Sequence, residues 1–266
     1  MSSKTTLIHK RKWRLYQKKM GRNATQSMMN HLQKKKKTLE LKMTFLLLLV
    51  MLTACAAIPQ DLSGKMFTFP QQSATSLVKL TASELLYRAV TVCHRSFTDL
   101  KRDHALFSLA APSNANEFLI FWDETKKGLE PHVKNAMTEY RGLDYKLNMW
   151  HSICTTWDSE SGLVQMWFDG QPTIRKFITS GSAITGSNII ILGQEQDSYG
   201  GGYYLTQSFV GMMSDVHMWD HTLSPCEIHK YVDGLNFTPG NVLNWGALEF
   251  QITGKVIVED KLNACY

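Results

Sequence analysis

The stretch GQEQDSYGGGYYLTQ, Gly193 to Gln207, holds two carboxylates, Glu195 and Asp197, followed by three consecutive glycines. It leaves the apolar run SNIIILG, which has the length and composition of a buried strand, so both acids fall at a strand end. In extended backbone residues i and i+2 face the same way, which sets two hard oxygen donors side by side. With amide and carbonyl oxygens nearby, such a pair suits Ca²⁺, which takes about six to eight oxygens in flexible geometry. Spacing alone leaves two other readings open: a solvated hairpin loop, or a sandwich-fold glycosidase with adjacent acids as nucleophile and proton donor. The glycosidase pattern needs another acid three residues beyond Asp197, and Gly200 occupies that place.

Other chemistry finds no foothold. The nine histidines form no HExxH pair, and no Gly-x-Ser-x-Gly elbow marks a nucleophile. Gly200 to Gly202 lack the Lys-Ser/Thr of a phosphate loop and read as a flexible turn. His151 stands alone and reads as a structural residue.

The elements that must hold the acids are strands. NEFLIFW from Asn116, GLVQMWFDGQPTIRKF from Gly162, SNIIILG from Ser187 and FVGMMSDVHMW from Phe209 are short apolar or alternating runs. Asp169-Gly170 supplies the positive φ of a tight hairpin. One helix is predicted in TLSPCEIHKYVDG: Ser224 caps, Pro225 takes the first position, Glu227 closes a capping box and Gly234 ends it. The pattern predicts an all-β fold, a two-sheet antiparallel jelly-roll sandwich with one short helix.

Charge divides the chain unevenly. Residues 1–42 carry thirteen Lys or Arg against Glu40, a net of +12, whereas everything from Ile58 onward is net −6. An acidic body removes the argument from high pI to nucleic acid. Residues 43–57, MTFLLLLVMLTACAA, show the short apolar core and small residues of a secretory signal peptide. The apolar stretch is shorter than the roughly 20 residues a spanning helix needs. Residues 1–42 therefore read as a basic, disordered N-terminal extension or a gene-model artefact, and 58–266 as a single exported domain. That domain keeps Cys93, Cys154, Cys226 and Cys265, which in an exported chain read as disulfides with three pairings open. Asn236-Phe237-Thr238 is a glycosylation sequon in a surface turn, followed by Pro239, which disfavours its use.

HSICTTWDS, His151 to Ser159, carries Cys-x-Ser/Thr-Trp-x-Ser/Thr from Cys154, which resembles the signature of the short pentraxin family; the signature's histidine, two residues before the cysteine, is Ser152 here, with His151 one place earlier. TVCHRSFTDL, FLIFW, IILGQEQDSYGG, MWDHTLSPCEI and NVLNW also resemble the family, in order, so the similarity runs over about residues 58–260. It implies a jelly roll with a Cys93–Cys154 bridge, leaving Cys226 and Cys265 to pair with each other or between subunits. It implies two Ca²⁺ ions held by Asn116, Glu195, the Gln196 carbonyl, Asp197 and Gln207, with Phe121 as the apolar contact for a choline group. The family's acid before Asn116 is Ala115 here, and another is Tyr204, so the second calcium site is expected to be weak. The family's ammonium-facing acid falls where the sequence diverges, leaving Glu130 and Glu139 as unaligned candidates for it. The implied protein is secreted and non-enzymatic, a ring-forming homo-oligomer of usually five subunits. It would recognise phosphocholine, phosphoethanolamine or acidic sugars on microbial and damaged-cell surfaces, with complement components as further partners. A calcium-independent adhesion or lectin-like module with a decayed metal site is the competing expectation, and a glycoside hydrolase a third.

Overall fold

The computed structural model describes residues 20–21, 28–29, 31–45, 58–82 and 86–262. The chain divides into two units, residues 1–56 and 57–266. In the first, residues 31–45 are helical and exposed, as a run rich in Lys, Leu and Met favours. Most of the segment expected to be a signal peptide lies outside the described residues. Among the described residues no helix is long and apolar enough to cross a membrane.

The second unit is built on twelve principal strands: β1 (Lys65–Phe69), β2 (Leu77–Leu80), β3 (Ala89–Phe97), β4 (His104–Ala111), β5 (Asn114–Asp123), β6 (Gly128–Val133), β7 (Trp150–Asp158), β8 (Leu163–Phe168), β9 (Ile189–Leu192), β10 (Gly211–Trp219), β11 (Phe250–Thr253) and β12 (Ile257–Asp260). The first sheet runs β8-β7-β3-β10-β1-β12, with the two-residue strand Gln171–Pro172 at its β8 edge. The second runs β11-β2-β9-β4-β5-β6 and ends on Ala136–Met137. Every pairing is antiparallel. This is the jelly-roll sandwich that the strand pattern predicts.

Alternation along each strand explains the layering. In β3, Val90 and Val92 enter the core between the sheets, while Cys93 belongs to a separate cluster on the outer face. The inter-sheet core is aromatic: Phe67 packs edge-on against Trp245 and Phe250, and Phe69 against Phe209, with ring centroids 5.0–5.7 Å apart. Each fully buried side chain of this size contributes about 2–3 kcal/mol.

On the outer face of the first sheet, Cys93 and Cys154 sit opposite each other in register and form the bridge that the resemblance implies. Trp167, Trp219, Leu223, Ile228 and Tyr231 bury it. The last two come from the helix Pro225–Val232, whose start is as predicted: Ser224 Oγ accepts from the Glu227 amide and Glu227 Oε2 accepts from the Ser224 amide. Arg95 closes the other end, its Nη2 donating to the carbonyls of Tyr231 and Val232. Cys226 is exposed and unpaired, and Cys265 lies outside the described residues.

The hairpin turn falls where predicted, with Asp169 at φ 47° and Gly170 at φ 79°. Asp169 also accepts from the Ser152 amide and bonds His151 Nδ1, each at 2.7 Å, so His151 is indeed a structural residue.

Four histidines are held neutral by burial. His94 is pushed down to about 3, and His104, His132 and His217 to about 4. The unfolded chain takes up these protons near pH 6.5 and the folded chain does not, so stability is full above pH 6.5 and falls towards pH 4. Two carboxyls raised by burial, Glu195 and Asp197, work the other way and are outnumbered. Urea unfolding is expected to lose more than 1 kcal/mol per pH unit below pH 6, at about 1.4 kcal/mol for each uncompensated group. A flat profile from pH 7 to 5 would contradict it.

Candidate functional site

The acidic loop is fixed by amides before any carboxylate enters the account. Gly193 ends β9 at φ 89°, and a side chain there would meet the Phe69 ring at 2.2 Å, so only glycine lets the strand turn. Gln194 Nε2 then donates to the carbonyls of Ser73 and Ser76 at 2.6 and 2.9 Å. The Gln196 side chain is fully buried; its Nε2 donates to the carbonyls of Ser108 and Ile189 at 3.1 and 3.0 Å, and its Oε1 accepts from the Gly200 amide. The loop closes on itself through paired Ser198 and Gly201 amides and carbonyls. Gly200 and Gly202, at φ 74° and 75°, are hairpin glycines rather than a phosphate cradle.

This frame presents Glu195 and Asp197. Glu195 is only 7% exposed and its Oε2 has no hydrogen-bond partner. Burial, followed by the charges of Asp197, Asp103 and Glu130, pushes its carboxyl up to about 7. Burial also raises Asp197.

Two further expected donors share the same condition. Asn116 lies near the start of β5, where its amide donates to Asn135 Oδ1 at 3.1 Å and its carbonyl accepts from the Asn135 amide. Its side-chain Oδ1 stays buried without a partner. Gln207 ends a short 3₁₀ turn, Leu205–Gln207, and its Oε1 is likewise buried and unpaired. Leaving such an acceptor unsatisfied costs about 1–3 kcal/mol. Three of the five expected calcium ligands thus carry spare oxygens, which fits a hard cation.

The expected losses are also visible. Tyr204 is 59% exposed, and Ala115 brings no oxygen. Among the described residues no group of three or more His, Cys, Asp or Glu side chains is placed to hold a metal. The donor set therefore depends on amide oxygens to supplement two carboxylates.

Phe121 belongs to a small cluster with Ala105 and Leu119 that is separate from the inter-sheet core. Its cross-strand neighbour in β6 is Glu130, which is 5% exposed, ion-paired to Lys126 and within electrostatic reach of Glu195. Sequence comparison could not align Glu130; the β5–β6 register places it. Glu139 pairs with Arg141 at 2.9 Å and reaches the same Lys126 at 3.9 Å.

Two antiparallel sheets with an acidic loop, unpaired amide oxygens and an apolar cluster define a jelly-roll sandwich with an oxygen-rich loop site. The Pentaxin family profile matches residues 65–260. The chain is 39% identical to serum amyloid P-component of Rattus norvegicus over 203 residues, 76% of this chain and 88% of the relative. It is also 39% identical to C-reactive protein of Sus scrofa over 222 residues, 83% and 98% of the two chains. The native heptameric SAP-like pentraxin from Limulus polyphemus superimposes with a TM-score of 0.70 at 22% identity, covering 76% of this chain and 97% of that one. The chain belongs to the pentraxin family.

Glu195→Gln keeps the shape of the side chain and removes its buried charge. In EDTA at pH 8 this variant is expected to be more stable than the wild type, on the order of 2 kcal/mol by urea unfolding. A loss of stability would mean that Glu195 has a favourable partner in the metal-free protein.

Proposed function

We infer that the protein is a secreted, calcium-dependent recognition protein of innate immunity, binding phosphate-bearing or other anionic ligands through the acidic loop. The observation that carries this reading is the set of unpaired oxygens on Asn116, Glu195 and Gln207. With Asp197 and the Gln196 carbonyl they would hold Ca²⁺, which supplies an electrophilic centre for a ligand phosphate or carboxylate. The protein residues orient that centre: Gln194 and Gln196 fix the loop, and Asn135 fixes Asn116. Phe121 is the residue that the family resemblance assigns to the methyl groups of phosphocholine, but at 8% exposure it is a buried strand residue that presents little apolar surface. Glu130 already pairs with Lys126, so recognition of the anionic end is better supported than recognition of choline.

Export is supported by the signal-like segment 43–57 and by the likeness to serum amyloid P-component. Non-enzymatic binding fits Gly200 at the place where a glycosidase needs its further acid. Complement components are partners by family analogy.

Immobilised phosphocholine and phosphoethanolamine are each expected to retain the protein in calcium and release it in EDTA. Retention that persists in EDTA would favour the calcium-independent adhesion reading, in which Ala115 and Tyr204 mark a decayed site. In calorimetric titration the wild type is expected to bind one calcium ion well and a second weakly. Tyr204→Glu restores a charged oxygen and is expected to tighten the second on the order of tenfold. Two tight sites in the wild type would overturn the assignment.

Assembly into a ring, expected to hold five subunits, is supported by apolar side chains left exposed on the domain. Ile174 and Phe177, 71% and 64% exposed, project beside the β8 edge. A head-to-tail contact using such a patch closes into a ring when its rotation allows. Ile174→Glu with Phe177→Glu is expected to shift the protein from a multi-subunit to a one-subunit mass by light scattering. An unchanged mass would remove this edge from the interface.

A further inference from the structure

We propose that Asn236 carries an N-linked glycan on the broad face of the sandwich opposite the acidic loop. The inference rests on the export reading above and adds a modification site to it. Asn236-Phe237-Thr238 is the one Asn-x-Ser/Thr sequon within residues 58–266.

The local structure shows why this triplet is presented. The helix Pro225–Val232 ends in a turn, with Gly234 at φ 66° and the Leu235 amide donating to the Lys230 carbonyl. Beyond it the chain runs irregularly. Phe237 turns inward, its ring centroid 5.1 Å from His217 and 5.4 Å from Tyr231. The Thr238 carbonyl accepts from Trp219 Nε1 at 3.1 Å. With the middle residue anchored and the backbone tied down, Asn236 and Thr238 are both exposed on either side of it. Among the described residues neither the Asn236 amide group nor the Thr238 hydroxyl engages a hydrogen bond, so both are free for an enzyme to use.

There is also room and a reason for a sugar. Asn236 borders a cleft of about 310 Å³ whose walls include Asp215, Asn244 and Trp245. Leu235 beside it is 59% exposed, an apolar surface that a glycan would shield. The helix lies on the outer face of the first sheet, whereas Gln196 bonds to β4 of the second. The glycan therefore stands away from the calcium ligands and leaves them open.

The transfer is chemically complete with a lipid-pyrophosphate-linked oligosaccharide as donor. Asn236 Nδ2 bonds to the anomeric carbon of the first sugar. The bond from that carbon to the pyrophosphate oxygen breaks, the lipid pyrophosphate leaves with the electron pair, and the amide gives one proton to a base.

The test is expression of the full chain in eukaryotic secretory cells, followed by peptide mapping of the exported protein. Treatment with peptide-N-glycosidase is expected to lower its mass and convert Asn236 to Asp. Asn236→Gln and Thr238→Ala should each abolish both changes, the second without altering Asn236 itself. Exported protein with bare Asn236 overturns the inference, whereas a chain retained inside the cell overturns the export reading instead. Deglycosylated protein should keep its calcium-dependent retention on immobilised phosphoethanolamine. Retention lost on deglycosylation overturns the placement of the glycan away from the site.

Discussion

The site depends on the hydrogen bonds of the Gln196 side chain, which tie the acidic loop to Ser108 of β4, Ile189 of β9 and Gly200 of the loop itself. A buried primary amide is expensive unless its donors and acceptor are used, and here they are. Because the amide is satisfied on the inside, the flanking carboxylates are held in place without partners of their own, Asp197 exposed and Glu195 buried. Charge at Glu195 is thereby tolerated in a place where burial, Asp197, Asp103 and Glu130 all oppose it. The repulsion is left uncompensated within the protein, and a cation held there would convert it to attraction.

The two broad faces of the sandwich follow different rules. The face bearing Cys93 and Cys154 is closed: a bridge, two tryptophans and a helix cover it, and Arg95 seals the helix end. The face bearing the acids is open, covered only by a loop and the small cluster around Phe121. Rigidity on one side and unpaired oxygens on the other would suit a scaffold that binds without rearranging, since strands rather than long loops carry Asn116 and Phe121.

Much of this was legible in the sequence because the signals are local. The helix was readable from Ser224, Pro225 and Glu227, and the hairpin from Asp169-Gly170, since capping and turn chemistry act within a few residues. The site was less so. Spacing alone made Glu195 and Asp197 a loop with two acids; the family resemblance added Asn116 and Gln207, whose orphaned oxygens depend on the whole fold. Glu130 was out of reach for another reason: its place opposite Phe121 depends on the β5–β6 register, in a segment where the sequence diverges. The burial of His94 was equally hidden, because an inward position in an alternating strand carries no mark of how completely its ring loses water.

The edges of the first sheet have a further consequence. One ends on Pro172, which has no amide hydrogen to offer a neighbouring strand. The other ends on β12, where Lys65 is ion-paired to Asp260 and Glu259 accepts from the Thr68 hydroxyl. Backbone addition is thus disfavoured at Gln171–Pro172 and discouraged by charge on β12. Along these two borders a second copy would have to engage side chains, whose shapes fix an angle and a finite count, rather than join in the endless strand-to-strand stacking that turns β proteins into fibrils.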